Sequence, residues 1–234
     1  MCMRTLYKIP TSCKTLDKAL EGGIPVGNIT LLYGEAETGK TTFSMQCAVN
    51  CAKLGYKTLF IDADSTFSVG RLSQLTSKDS NLTQQIYLMK PADFKEQASI
   101  IDQLANYITR KFGLIIFDTI TSLYRVEISE NPKKTFDLNR ELNRQLAFLA
   151  QTAKIKKVAI LITSQVRSIL DETYEVEPVA TRVLKFWSDV ILAVKPTENP
   201  TIVKIFLEKK PSKTKLIECY LKIGKEGIKD YITA

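Results

Sequence analysis

Nine consecutive residues, Gly34-Glu35-Ala36-Glu37-Thr38-Gly39-Lys40-Thr41-Thr42, carry the most specific chemistry in this chain. The first eight fit G-x-x-x-x-G-K-[ST], a loop that wraps nucleotide phosphates. Its glycines let backbone N–H groups turn inward around an anion. Lys40 is placed to reach the β- and γ-phosphates, and the Thr41 hydroxyl to ligate Mg2+. Thr42 leads into a segment whose Phe43, Cys47, Val49, Cys51 and Leu54 suit a largely buried helix. The positive N-terminal end of that helix adds to the anion site. Ahead of the loop, Asn28–Tyr33 is β-prone and mostly apolar. Strand, loop and helix in that order are the setting the motif needs.

Further candidates lie at the ends of other apolar runs. Leu114-Ile-Ile-Phe117-Asp118 is a strand ending in a carboxylate. Beside a phosphate loop such an aspartate holds Mg2+ directly or through water; elsewhere it is an ordinary turn residue. Phe60-Ile-Asp62-Ala-Asp64 puts two carboxylates at a strand's carboxyl end, the side where ligands bind in open α/β sheets. One could orient or deprotonate an attacking water, and either could cap a turn. Leu161-Ile-Thr163-Ser164-Gln165 closes a third strand with two hydroxyls and an amide, and Gln165 could touch a γ-phosphate.

These residues must be held by alternating strands and helices. Strands are expected at Ile29–Tyr33, Lys57–Asp62, Gln85–Met89, Leu114–Asp118 and Val158–Thr163. A capping-box variant, Asp93-Phe-Lys-Glu96, opens a helix with Phe94, Ala98, Ile101, Ala105 and Ile108 on one face. A second helix, from about 136 to 153, shows Leu138, Leu142, Leu146, Leu149 and Ala153 on a face, with Thr135 placed to cap it. The fold class is therefore α/β, a mostly parallel twisted sheet flanked by helices. Asp189–Val194, Ile202–Leu207 and Leu216–Ile223, joined by turn-rich links, suggest an antiparallel extension on one edge.

Composition sets the outer bounds. The 234 residues are 44% hydrophobic and 25% charged, enough for one large domain spanning 1–234, and no linker-like tract divides them. The absence of histidine excludes His-dependent triads and His-ligated zinc. Five cysteines, Cys2, Cys13, Cys47, Cys51 and Cys219, form no Cys-x-x-Cys pair and read as reduced, buried side chains. The net charge of +8 clusters at Lys133-Lys134, at Lys154, Lys156 and Lys157, and from Lys209 to Lys215. It fits a polyanionic partner, DNA above all, and it equally fits general solubility. No apolar run is long enough to cross a bilayer, so a cytoplasmic protein is expected.

In combination the motifs resemble the RecA/RadA recombinase ATPase family. The resemblance rests on the phosphate loop, Phe60-Ile-Asp-Ala-Asp-Ser-Thr-Phe67 with Arg71, Ile115-Ile-Phe-Asp118, and Ile162-Thr-Ser-Gln-Val166. The lead-in Pro10–Asp17 and Leu20–Gly27 is similar as well. Within the family, Phe186-Trp187-Ser188, Leu207–Lys210 and Gly224–Asp230 resemble the short archaeal RadA paralogues grouped as RadB. The resemblance implies a RecA-like core that binds ATP and Mg2+ and acts in homologous recombination and DNA repair. It implies Lys40 and Thr41 on phosphate and metal, Asp118 on the metal side, and Gln165 sensing the γ-phosphate. It implies Arg71 stacked on adenine, with two DNA-facing loops at about 125–134 and 167–181. Weak, sequence-independent DNA contacts are then expected from Arg125, Lys133 and Lys134. Tyr124 could offer a stacking face or pack in the core.

Departures from the family pattern point away from a full recombinase. Asp64 stands where the family carries a water-activating Glu, one methylene longer, so weak hydrolysis is expected. Glu37 puts a charge into the phosphate loop and should face solvent. The second loop holds Asp171, Glu172, Glu175 and Glu177 between Arg167 and Arg182. No Phe-x-x-Ala assembly motif precedes the core, and no helical DNA-binding domain is expected ahead of it. Lys209-Lys210-Pro211 replaces a Lys-His-Arg sequence, leaving either lysine as a substitute for a trans-acting arginine. A mediator of a RadA-type recombinase, with a homodimer possible, fits these departures. A nucleotide-switched interaction protein without turnover is the alternative. So is a KaiC-like signalling ATPase, although that group's paired acids are adjacent and Asp62 and Asp64 are separated.

Overall fold

Continuous apolar runs become strands when helices cover both faces of a sheet. Such runs supply the parallel strands here, and nine strands in all hydrogen-bond into one sheet. The computed structural model describes residues 6–77, 79–168, 176–178, 180–212 and 217–231. In chain order the strands are β1 Ile29–Gly34, β2 Lys57–Asp62, β3 Ile86–Met89, β4 Phe112–Asp118 and β5 Ala159–Ser164, then β6 Val190–Pro196, β7 Ile202–Lys209, β8 Ile217–Gly224 and β9 Gly227–Asp230. Their spatial order is β9-β8-β7-β6-β1-β5-β4-β2-β3. From β3 across to β6 every neighbouring pair is parallel; β7, β8 and β9 follow antiparallel. The expected fold class is present, with two refinements. Asp189–Val194 belongs to the parallel set, beside β1, and β9 is an additional strand behind a tight turn at Lys225-Glu226.

The longer helices are α1 Lys40–Lys53, α2 Val69–Leu75, α3 Phe94–Tyr107, α4 Ser122–Glu130, α5 Thr135–Lys156 and α6 Thr181–Trp187. Side chains alternate across the sheet, so Leu32, Phe60, Ile116, Leu161 and Leu192 pack with α1 and α2. Leu31, Ile61, Phe117, Ile162 and Ile191 pack with α3, α4, α5 and α6. The apolar face expected on α5 is buried throughout. Each fully buried leucine there contributes about 1.5–3 kcal/mol.

Two local expectations change. The buried face of α3 is Phe94, Gln97, Ile101 and Leu104, whereas Ala98 is partly exposed and Ala105 exposed. Gln97 is tolerated there because its Nε2 donates to Gln145 Oε1 at 2.9 Å and to the Ile120 carbonyl at 3.2 Å. Thr135 does not cap α5: it is the first helical residue, and its hydroxyl donates to the Pro132 carbonyl at 2.6 Å. Asp93 does cap α3, accepting from Glu96 N at 2.7 Å, and Glu96 accepts from Ala92 N at 2.6 Å.

The helix after the phosphate loop also ties distant segments together. Gln46 Nε2 donates to Thr11 O at 2.6 Å and Ile228 O at 2.8 Å, and its Oε1 accepts from Ile228 N at 2.6 Å. One turn on, Asn50 donates to Pro10 O at 2.7 Å. Cys13, Cys47, Cys51 and Cys219 are buried free thiols, as expected; Cys2 lies outside the described residues.

Candidate nucleotide-binding site

The loop between β1 and α1 is shaped by close approach. A Cβ on Gly34 would lie 2.4 Å from the Val194 carbonyl oxygen of neighbouring β6. Gly39 caps α1 at φ +81°, and a Cβ there would lie 2.6 Å from Ile223 Cδ1. Glu37 is exposed at φ +62°. Thr38 Oγ1 donates to Glu35 O at 2.8 Å. Buried Lys40 donates from Nζ to the same carbonyl at 2.5 Å and lies 3.5 Å from Thr38 Oγ1. Burial pulls its pKa below the ordinary lysine value, against the opposing pull of Asp118, Asp64 and Glu35.

Opposite the loop, Asp118 ends β4 in the sheet interior. Thr163 Oγ1 on β5 donates to Asp118 Oδ1 at 2.5 Å. Asp118 Oδ2 is buried without a hydrogen-bond partner. The Thr41 hydroxyl is close enough to Asp118 to favour its charged form. Burial raises the Asp118 pKa above the ordinary aspartate value, the Thr163 and Thr41 hydroxyls lower it, and Asp64 and Asp62 raise it further.

The two carboxylates after β2 have different tasks. Asp62 is buried and accepts from Thr66 N at 3.0 Å and Phe67 N at 3.2 Å, with Lys90 Nζ 3.4 Å away. It holds the 63–67 turn. Asp64, carried on that turn, faces the loop and accepts from Gln165 Nε2 at 3.1 Å. A cavity of about 520 Å3 is lined by Ala36, Glu37, Gly39, Lys40, Thr41, Thr42, Asp64, Thr66, Asp118, Thr119 and Gln165. Pro200, Thr201 and Ile223 close its far side. A buried ammonium, a helix N-terminus and an unpaired carboxylate oxygen beside a hydroxyl converge there. The oxygen donors of Thr41 and Asp118 suit a hard divalent cation, and the amides and Lys40 suit a polyphosphate.

A family model described as Rad51 matches residues 3–231. The chain belongs to the Rad51 family. Among curated Rad51-family relatives, the DNA repair and recombination protein RadB of Methanococcus maripaludis strain C5 is 34% identical over 195 residues, covering 83% of this chain and 87% of that protein. The protein of the same name from Methanocaldococcus jannaschii is 30% identical over 215 residues, covering 92% and 94%. A solved structure, described as the crystal structure of the RadB recombinase, superimposes with a TM-score of 0.81 at 28% identity, covering 96% of this chain and 100% of that one. The Rad51 family is an ATPase family that generally uses nucleotide and Mg2+.

The other residues singled out by family resemblance fall elsewhere. Arg71 is not part of the cavity wall. Its guanidinium donates to Gly224 O at 2.7 Å, Lys225 O at 2.8 Å and Gln74 Oε1 at 2.9 Å, fixing it on the β8–β9 turn. The first expected DNA loop is helical over most of its length, as α4 followed by a 3-10 turn at Pro132–Lys134. Partly buried Ile128 anchors α4 in the core. Arg125 is exposed on α4 and donates to Gln165 Oε1 at 2.6 Å. Lys133 and Lys134 are exposed on the 3-10 turn. Tyr124 offers no stacking face: it is buried, edge-on to Phe94, with its hydroxyl on Asn139 Oδ1 at 2.7 Å. Asp171, Glu172 and Glu175 lie outside the described residues. Lys209 Nζ donates to Ser188 O at 2.6 Å, and Lys210 Nζ to Ala19 O at 3.0 Å. Both ammonium groups serve helix ends of their own chain instead of reaching outward.

Sequence reasoning missed Thr66, Thr119, Lys90 and the far wall of Pro200, Thr201 and Ile223. Thr66 and Thr119 lie in or beside the strand-end motifs and were legible by proximity. The far wall comes from the antiparallel extension, and no local pattern marks it.

Proposed function

We propose that this chain binds ATP with Mg2+ in the β1–α1 cavity, hydrolyses it slowly, and acts in DNA repair and recombination as one RecA-like domain. Weak, sequence-independent DNA binding, assistance to a RadA-type recombinase and a place in the cytoplasm belong to the same reading. The observation that carries the nucleotide reading is Asp118 Oδ2, buried and unpaired in the cavity that holds Lys40. A buried acceptor left unpaired costs about 1–3 kcal/mol, more when charged. A cation beside Thr41 would remove that penalty. The repair role is supported by the similarity to archaeal proteins called DNA repair and recombination protein RadB.

Each group then has a defined task. Loop amides and Lys40 bind and orient the triphosphate, and Thr41 and Asp118 hold the metal. Bound Mg2+ supplies charge neutralisation at the phosphate oxygens. Asp64 orients the attacking water and receives its proton, while Asp62 keeps the turn beneath it fixed. Gln165 stands where a terminal phosphate would meet its amide. Arg71, pinned on the β8–β9 turn, forms an outer edge for the base. Titration with a fluorescent ATP analogue, with and without Mg2+, tests this reading. Binding that needs Mg2+ and disappears in Lys40→Ala is expected; no binding at millimolar nucleotide, or unchanged affinity in Lys40→Ala, refutes it.

One observation favours a mediator over a working ATPase. The Asp64 carboxylate already accepts a hydrogen bond from Gln165 Nε2 at 3.1 Å, which engages it before any water arrives. Capture of a RadA-type recombinase with ATP but not with ADP supports the switched mediator; capture indifferent to nucleotide counts against it. A KaiC-like signalling role loses ground, because Asp62 is committed to its turn and to Lys90.

A further inference from the structure

A groove of about 990 Å3 between α4, α5 and α6, lined in part by Arg125 and Arg182, belongs with the DNA contacts proposed above. A different feature runs along the carboxyl ends of the parallel strands. Strand β3 pairs with β2 up to Ile61 opposite Met89, and β2 pairs with β4 up to Asp62 opposite Asp118. The next step of the first register sets Lys90 beside Asp62. Parallel neighbours at one level share a face, so Lys90, Asp62 and Asp118 stand in a row across three strand ends. The Asp62 side chain is fully buried, and half-exposed Lys90 brings Nζ to 3.4 Å from its Oδ2. Among the described residues, Lys90 is the one cation in an ion pair with Asp62. The same carboxylate grips the turn that follows β2. Its Oδ1 accepts from Thr66 N at 3.0 Å, and its Oδ2 from Phe67 N at 3.2 Å. The near end of the turn is tied to β4, where Asp118 O accepts from Ala63 N at 2.9 Å and Asp64 N at 3.3 Å. That turn carries Asp64 and Thr66 into the nucleotide cavity, with Thr66 Oγ1 3.5 Å from Thr41 Oγ1.

We propose that Lys90 is a positioning residue for ATP hydrolysis: its ammonium fixes the Asp62 carboxylate, and that carboxylate fixes the turn that aims Asp64 at the attacking water. This rests on the ATP reading above. A buried carboxylate needs its charge balanced as well as its oxygens bonded. Without the ammonium, Asp62 is a buried anion beside Asp118, held by two amides alone. It then turns toward water or takes a proton, and either response weakens its grip on Thr66 N and Phe67 N. Asp64 is left to wander from the line of attack. Lys90 is not part of the cavity wall, so the phosphate loop still binds the triphosphate. The loss therefore falls on turnover and not on binding. The reaction concerned is phosphoryl transfer to water. The water oxygen bonds to the γ-phosphorus, the bond to the bridging oxygen breaks, the proton passes to Asp64, and ADP leaves with the bonding pair.

The test pairs single-turnover hydrolysis of radiolabelled ATP at saturating Mg2+ with the nucleotide titration described above. Both are run on the wild type, Lys90→Met, Lys90→Arg, Asp62→Asn and the double variant Lys90→Met/Asp62→Asn. Lys90→Met keeps the stem and removes only the charge. Its hydrolysis should be about tenfold slower, within the roughly 100-fold that a 1 Å misplacement can cost, and its ATP affinity within about twofold of wild type. Lys90→Arg restores a permanent charge with donors at the end of the stem, so it should recover most of the rate. The double variant should be no slower than the slower single one, because both substitutions cut the same link. A purely packing role for the stem would survive in Lys90→Met and predicts no loss of rate there. The proposal is overturned by an unchanged rate in Lys90→Met, by a loss of ATP affinity large enough to account for the slowing, or by Lys90→Arg as slow as Lys90→Met. It is equally overturned by losses that multiply in the double variant, or by a wild type no faster than ATP·Mg2+ without protein. Failure of the wild-type nucleotide titration instead overturns the ATP reading, so the two failures are separable.

Discussion

The β1–α1 cavity and the α4–α5–α6 groove are neighbours that handle charge in opposite ways. In the cavity Lys40 and Asp118 are both buried, and burial displaces both pKa values toward the neutral form. In the groove Arg125 and Arg182 are exposed, as are Lys133 and Lys134 on the adjoining 3-10 turn. A buried charge is already stripped of water and gains most from one ligand in one pose. An exposed ion pair is worth about 0–1 kcal/mol and is weakened by salt. The cavity is therefore suited to a single ligand of fixed geometry, and the groove to any polyanion. Specificity here follows burial more than the count of positive residues.

The contrast can be broken most sharply at Lys40. Truncating one partner of a buried charge pair costs about 2–5 kcal/mol, so Lys40→Ala should weaken ATP binding roughly 30- to 4,000-fold. Its circular dichroism should be native, which separates loss of a ligand group from loss of fold.

Asp118→Asn comes next. Metal-dependent nucleotide affinity should be lost, yet the nucleotide-free protein should be more stable by about 1–3 kcal/mol at neutral pH. The sign follows from the raised pKa. A carboxyl that is harder to ionise when folded than when unfolded favours the fold at low pH and loses that advantage as pH rises through its folded value. The advantage of the Asn variant should therefore be present at neutral pH and close as pH falls below the ordinary aspartate range. Melting curves across that range decide it, and an advantage that grows on acidification contradicts the assignment.

Asp64→Glu should raise ATP turnover about tenfold, within the roughly 100-fold that a 1 Å displacement of a reacting group can cost. Turnover that is unchanged or lower in a steady-state phosphate-release assay shows that the shorter acid is not limiting.

The groove should respond more gently. Replacing Lys133 and Lys134 with alanine should weaken oligonucleotide binding a few-fold and make the log–log salt slope less negative by about 0.7 for each phosphate no longer neutralised. A flat salt response in the wild type removes DNA from the partners. Tyr124→Phe should leave oligonucleotide affinity unchanged while costing about 1 kcal/mol in thermal stability through removal of the bond to Asn139.

Legibility in the sequence divides along the same line. Lys40, Thr41, Asp64, Asp118 and Gln165 all sit at carboxyl ends of parallel strands, just after one, or at the start of the helix that follows one. Topology alone brings them together once the strands are recognised. Residues placed by tertiary packing were not legible. Arg71 is fixed by carbonyls at Gly224 and Lys225, more than 150 positions away. Lys209 and Lys210 look free as a basic pair and are in fact bound to helix ends. Asp62 and Asp64 share one strand end, and only the hydrogen bonds from Thr66 and Phe67 tell them apart. On α3 an apolar-only reading preferred Ala98 and Ala105, because it could not foresee that Gln145 Oε1 would accept from Gln97 Nε2.

Gln46 has a consequence for how this protein comes into being. Its amide, six residues past Lys40, finds two of its partners at Ile228, which is 182 positions later. During synthesis the phosphate-loop helix emerges early, and that amide meets these partners only once Ile228 has left the ribosome. Nucleotide capture should thus begin only after Ile228 has emerged. Stalled chains ending at Gly224 should release labelled ATP that released full-length chains retain.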